Sequence, residues 1–337
     1  MKNLEAQGRR NFLRTLGVGA LGMALPGGAV SAAGDGPPKP LRGIFPIAQT
    51  PFTESDKLDL ESLVAQVRFL DKGRVHGFVW PQLASEWDTL SEAERLEGAE
   101  AVCEAGKKLR PAIVIGVQAP DTATAVKYAK HASKAGANAI ISLPPAGQND
   151  DKALFRYYKE IGAATELPLF VQAVGKMSVE AILDMYRGIP TLRYVKDEAG
   201  QPLMRVGPLR HQSHDELKVF TGGHGKTLID EMIRGFSGSM PAASFADVYA
   251  AAWDLWHEGK KQRALEMFGN AAVLINEISV YADGMKYILH LRGVFKTYSS
   301  RQRPNEIAGG AGRILLDETG KEALREILDL MKPHLRA

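Results

Sequence analysis

Two side chains set two positions apart carry the strongest chemical signal in this chain: Lys196 and Glu198, in the run Arg193-Tyr194-Val195-Lys196-Asp197-Glu198-Ala199-Gly200. A lysine that ends an apolar strand is stripped of water, which favours its neutral amine and makes it a nucleophile toward carbonyl carbon. If the strand persists, Glu198 points to the same face. There it serves as an acid/base partner, or as the counter-ion of a protonated lysine. Position alone does not choose, because strand-end lysines are most often solvated or ion-paired. His224 is a second candidate, in Thr221-Gly222-Gly223-His224-Gly225-Lys226-Thr227. The glycines let backbone approach a ligand closely, and an imidazole titrates near neutral pH. The same pattern also reads as an ordinary turn with a solvent-facing histidine.

Other chemistries find less support. The His224 loop is not a phosphate-binding P-loop, since Phe220 stands where the first glycine is required. No Gly-x-Ser-x-Gly elbow points to a serine hydrolase. His211 and His214 are three apart, but no further motif completes a zinc site, so neither a metal nor a cofactor is expected. Cys103 is the single cysteine; it permits no internal disulfide and reads as packing within the helical stretch 94–108.

The elements that must position these groups alternate along the chain. Short apolar runs at 43–48, 77–81, 112–117, 139–143, 169–173, 192–196, 218–221 and 236–240 predict strands. Amphipathic segments such as 60–70, 122–135, 153–165 and 179–187 predict the helices between them. Eight strand–helix units imply a parallel sheet closed as an α/β (β/α)8 TIM barrel, over residues 41–245. A doubly wound sheet is the alternative, but no Gly-x-Gly-x-x-Gly turn follows the first strand. From 246 to 337 the pattern is helical only, a C-terminal extension packed on the barrel. In such barrels catalytic groups come from the C-terminal ends of strands, which is where Lys196 and His224 fall.

Residues 1–33 are set apart. Gly8-Arg9-Arg10-Asn11-Phe12-Leu13-Arg14, a modest apolar stretch and the small residues up to Ala33 resemble a twin-arginine export signal, followed by a Gly/Pro-rich linker at 34–40. The expected destination is the periplasm, with no membrane association once the signal is removed. The segment holds four of the 42 basic and one of the 39 acidic side chains, so without it the net charge falls from +3 to zero. The basic balance therefore gives no reason to expect nucleic acid as a partner.

Four motifs together are similar to the dihydrodipicolinate synthase and N-acetylneuraminate lyase family: "GIFPIAQTPF", "SEWDTLSEAER", "YVKDEAG" and "GFSGSMPA". The resemblance spans about 41–332. It implies that Lys196 forms a Schiff base with a small-molecule 2-oxo acid, in a homotetramer or homodimer. Thr50, Ser85, Glu86, Lys176 and Ser239 are the expected substrate-binding residues, and Glu198, Glu86, Gln172 and His224 are the candidates for the acid/base set beside Lys196. The departures are as informative. The family's carboxylate loop, Gly-Thr/Ser-Thr/Ser-Gly-Glu, aligns with Gln82-Leu83-Ala84-Ser85-Glu86. Gln172 stands at the position of the family's relay tyrosine, and an amide cannot shuttle protons at neutral pH. The tyrosines after the fourth strand give way to Pro144-Pro145-Ala146-Gly147, and only Lys176 lies near the place of the arginine that holds the synthases' second substrate. These losses argue against the lysine-biosynthetic synthase. They favour an aldolase or dehydratase acting on another 2-oxo acid, sugar-acid-like or aromatic. The alternatives are a barrel that binds such an acid without turnover, and an enzyme that no longer uses Lys196 covalently.

Overall fold

The computed structural model describes residues 39–302 and 313–337. The proposed leader at 1–33 and nearly all of the linker at 34–40 lie outside the described residues. The chain runs β1 (Gly43–Ile44), α1 (Leu60–Lys72), β2 (Gly77–Trp80), α2 (Glu92–Gly106), β3 (Ala112–Gly116), α3 (Thr122–Ala135), β4 (Ala139–Ser142) and α4 (Asp151–Ala163). It continues through β5 (Leu169–Ala173), α5 (Val179–Gly188), β6 (Leu192–Asp197), α6 (Pro202–Gln212), β7 (Lys218–Thr221), α7 (Leu228–Arg234), β8 (Gly238–Ser239) and α8 (Ala246–His257). Three further helices follow: α9 (Lys261–Ile278), α10 (Gly284–Leu291) and α11 (Glu318–Met331).

All eight strands are parallel, in the order β1-β8-β7-β6-β5-β4-β3-β2, which is the (β/α)8 TIM barrel expected. β1 and β8 are cut to two residues each, well short of their apolar runs. At the β1–β8 seam, Gly238 lies so close to Gly43 that an added Cβ would stand 2.2 Å from the Gly43 carbonyl oxygen. The ladder there spans only two residue pairs. Beyond it, single bridges from Ile47 to Val79 and to Ala242 draw the ends of β1, β2 and β8 together. Two helices start earlier than apolar periodicity indicated, because their caps lie upstream. Ser91 and Glu94 form a reciprocal capping box at α2, and Asp150 accepts from the Ala153 amide at α4.

The period of two along each strand divides the core. Outward residues such as Val171 and Val195 pack beneath the helices. Inward residues Phe45, Val79, Val114, Ile141, Phe170 and Phe220 fill the barrel. Tyr194 stacks on Phe170 with ring centroids 4.4 Å apart, and Phe220 meets Phe170 edge-on. This aromatic plug seals the barrel below the level at which Lys196 emerges. The outer helices pack onto the strands, and α8 lies against β1, completing the eighth unit.

Candidate active site

Lys196 follows Tyr194 on the inward face of β6, one pleat closer to the strand's C-terminal end. It is 4% exposed, and its Nζ lies 3.0 Å from Glu198 Oε2. The strand ends at Asp197, yet the Glu198 amide still donates to the Ala173 carbonyl at 2.9 Å, which keeps the Glu198 side chain turned toward Lys196. Gln172, paired in register with Lys196, donates from Nε2 to the same Glu198 oxygen at 2.5 Å. The Gly223 amide donates to Oε1 at 3.4 Å. Gly222 makes the room: a Cβ there would stand 1.8 Å from Glu198 Oε1. Between the two functional residues, Asp197 faces away, held by Arg205 at 2.8 Å and by the Ala199 amide.

Burial alone would raise the Glu198 carboxyl, but Lys196 beside it, with the Lys196, Gln172 and Gly223 hydrogen bonds, brings it below its ordinary value. Glu198 is therefore a carboxylate at neutral pH. His224 moves the other way. Burial, then the positive charges of Arg313, Lys226 and Lys196, lower its imidazole to about 4. Near neutrality it is an uncharged hydrogen-bonding group and not an imidazolium acid. It occupies the left-handed backbone region, φ 60°, between Gly223 and Gly225.

A cavity of about 320 Å³ opens above the Lys196–Glu198 pair. Of the residues selected from sequence, Lys196, Glu198, His224 and Glu86 line it. The others are placed differently. Gln172 is fully buried behind Glu198, touching the carboxylate and not the cavity surface. The Thr50 hydroxyl accepts from Trp80 Nε1 at 2.9 Å and donates to the Ser85 carbonyl. The Ser85 hydroxyl donates to the Ala48 carbonyl and accepts from the Gln82 amide. Both hydroxyls brace the loops after β1 and β2 and have no part in the cavity wall. Ser239 is spent in the same way, against Thr221 at 3.1 Å. Lys176 is exposed and outside the cavity. At the carboxylate-loop position, Leu83 and Ala84, the first two residues of a short 3-10 turn, reach the cavity beside Glu86. Leading residues of a helical turn have amides with no acceptor inside the turn.

Sequence reasoning missed a second wall, made by segments beyond the barrel: Ala282, Met285, Lys286, Ser300, Gln302 and Arg313. Lys286 is buried and ion-paired with Glu86, and it also donates to the Ser299 carbonyl at 2.8 Å. Burial lowers its ammonium, and the Glu86 charge works against that. Glu86 uses its other oxygen to accept the amides of Arg301 and Gln302, at 2.7 and 2.8 Å. Arg301 in turn holds Glu94 at 2.7 Å, stacks over Phe52 and reaches the Asp56 carbonyl. Glu94 therefore caps its own helix and anchors the C-terminal segment as well. A sequence signal for Lys286 did exist: it is the charged residue inside the apolar run Gly284-Met285-Lys286-Tyr287-Ile288-Leu289, where an ammonium needs a buried partner.

The fold and the site together define a class, the (β/α)8 barrels built around a buried strand-end lysine. Within that class, the chain belongs to the dihydrodipicolinate synthetase family, whose sequence model matches residues 40–307. A 4-hydroxy-tetrahydrodipicolinate synthase from Rhizobium meliloti is 32% identical over 166 residues, a match spanning 48% of this chain and 56% of that protein. An uncharacterized DapA-like lyase from Thermococcus onnurineus is 25% identical over 302 residues, covering 86% of this chain and 98% of that one. Among solved structures, the N-acetylneuraminate lyase of Mycoplasma synoviae superposes with a TM-score of 0.73 at 21% identity, over 86% of this chain and 97% of that chain. Dihydrodipicolinate synthase from Rhodopseudomonas palustris does so with the same TM-score at 23% identity, over 86% and 97%. At these identities the structural likeness speaks to the fold.

Proposed function

We propose that this protein is a lysine-dependent lyase of 2-oxo acids, an aldolase or dehydratase other than the lysine-biosynthetic synthase. The observation that carries this reading is the contact of Lys196 with Glu198 at the floor of the cavity. The pair holds a nucleophile and its base within one hydrogen bond, in surroundings that exclude bulk water. As a 2-oxo acid enters, Glu198 takes a proton from the Lys196 ammonium. The amine adds to the keto carbon, and water leaves to give an iminium. The substrate's carboxylate meets the leading amides of Leu83 and Ala84. In an aldol cleavage, Glu198 then removes the hydroxyl proton two carbons from the iminium carbon. The carbon–carbon bond breaks, its electron pair passes into the iminium as an enamine, and an aldehyde departs. Reprotonation and hydrolysis release the shortened 2-oxo acid and regenerate Lys196. A dehydration begins from the same iminium by loss of a proton from the adjacent carbon. Gln172 at the relay position supports a reaction other than the synthase's: it orients Glu198 and has no proton to pass at neutral pH.

Borohydride reduction in the presence of pyruvate and a panel of 2-oxo acids, followed by intact-mass and peptide analysis, tests the reading. A reduced adduct on Lys196 is expected, and none in Lys196→Ala. If no acid in the panel labels Lys196, the proposal falls. The leader at 1–33 supports action in the periplasm, and a fusion of that segment to a reporter would be exported unless Arg9 and Arg10 were replaced by lysine.

A further inference from the structure

The cavity's cations are not equally matched. Lys196 has Glu198 and Lys286 has Glu86, each at ion-pair distance. Arg313 lines the same cavity, is half-buried, and has no carboxylate within ion-pair distance among the described residues. Its position is fixed by backbone. Ile314 bridges to Tyr281, with its amide donating to the Val280 carbonyl at 3.1 Å and its carbonyl accepting the Ala282 amide at 3.0 Å. A guanidinium held partly out of water with no carboxylate at hand among the described residues is costly, and it is the side chain best shaped for two-point contact with a carboxylate. It lines the cavity together with His224, and its charge is one of those that lower the His224 imidazole.

The available space agrees with a longer ligand than pyruvate. The cavity of about 320 Å³ falls in the range of roughly 300–1,000 Å³ typical of sites for ligands larger than pyruvate. We infer that the substrate is a 2-oxo acid with a second, distal carboxylate, which Arg313 receives while neutral His224 contributes a hydrogen bond. This inference rests on the Schiff-base reading of Lys196 and specifies its substrate class. Arg313 is then the specificity residue at one end of the cavity, with Lys196 the reacting residue at the other.

The test is the concentration dependence of borohydride-trapped adduct on the full chain, with pyruvate, 2-oxopentanoate, 2-oxoglutarate and 2-oxoadipate as probes. In the wild type, at least one of the two dicarboxylates half-saturates about tenfold or more below the length-matched monocarboxylate 2-oxopentanoate, as one charge-assisted contact predicts. Arg313→Gln brings the ratio of mono- to dicarboxylate half-saturation close to one, while Arg313→Lys, which keeps the charge without the fork, restores part of it. Two results overturn the inference. One is equal saturation by mono- and dicarboxylates in the wild type. The other is equal weakening of pyruvate and dicarboxylates by Arg313→Gln, which would assign Arg313 to the carboxylate next to the keto group. Absence of adduct with all four acids is a different failure, because it removes the Lys196 reading itself.

Discussion

Replacing Gly222 by alanine perturbs the site without touching either of its chemical groups. The new methyl carbon would stand 1.8 Å from Glu198 Oε1 and 2.3 Å from Cδ, where ordinary contact begins at 3.4 Å. The carboxylate must move by about 1.6 Å to relieve this overlap. It cannot move deeper, because Lys196 Nζ at 3.0 Å and Gln172 Nε2 at 2.5 Å already touch it. It swings out into the cavity and loses both partners. With an effective dielectric of ~20, the attraction between the unit charges drops from about 5.5 kcal/mol at contact to about 3.6 kcal/mol at a separation of about 4.6 Å. The loss of about 2 kcal/mol corresponds to roughly thirtyfold in rate. The assay is the rate of borohydride-trapped adduct formation with pyruvate, which needs no knowledge of the natural substrate. A fall of about thirtyfold is expected. The control is the same substitution in Glu198→Ala, where the clash partner is gone and Gly222→Ala should cost little more. A wild-type rate in Gly222→Ala would refute the reasoning. So would a further large fall in the Glu198→Ala background, since that would trace the effect to the backbone.

The remaining expectations concern charge. Lys286→Met strands the buried Glu86 carboxylate and should cost about 3–5 kcal/mol in equilibrium unfolding, most of it recovered in Lys286→Met/Glu86→Gln; equal stability of the two variants would show that the ion pair is not what matters. Hydrogen bonding from Arg301 holds the Glu94 carboxyl at about 2, below its ordinary 4.5. Its contribution, reduced by solvent to about 1 kcal/mol, is present above pH 4.5 and is lost as pH falls through about 2. Denaturation midpoints of wild type and Glu94→Gln should therefore converge on acidification, and parallel lines across that window would contradict the assignment. For His224, titration followed by NMR should give a midpoint near 4, and the adduct rate should show no step at the usual imidazole value of 6.5; a midpoint of 6 or more would mean that the imidazole is solvated.

The barrel was legible because its strands alternate so regularly with amphipathic helices, and because the pleat makes inward positions predictable. Tyr194 and Lys196 on β6, like Phe170 and Gln172 on β5, follow from a period of two. Glu198 was legible only conditionally, since its aim depends on the backbone carrying the β5–β6 ladder one residue past Asp197. The roles of Thr50, Ser85 and Ser239 were not legible. An aligned hydroxyl says which residue is present and nothing about where its hydrogen bond goes, and these three are consumed by Ser85, Ala48 and Thr221. The histidine was found, but its charge state was not. That depends on burial and on Arg313, nearly ninety positions further along the chain.

The larger omission was the second wall, and it has a physical cause. A rule that looks to strand ends cannot find Lys286 or Arg313, because no strand carries them. Their effect on the barrel is nonetheless direct. Glu86 adopts the left-handed conformation, φ 55°, a strained state for a residue with a side chain. Lys286 and the amides of Arg301 and Gln302 hold it there. That grip fixes the short turn whose Leu83 and Ala84 face Lys196 across the cavity. The C-terminal segment thus shapes the pocket twice, by lining it and by setting the loop opposite. Lys196 and Glu198, by contrast, are placed from within the barrel, by β5, β6, β7 and the Gly222–Gly223 turn. On the proposed function, changes in the extension alter which 2-oxo acid fits while leaving Lys196 and Glu198 in place, so that recognition and chemistry are separable along the sequence.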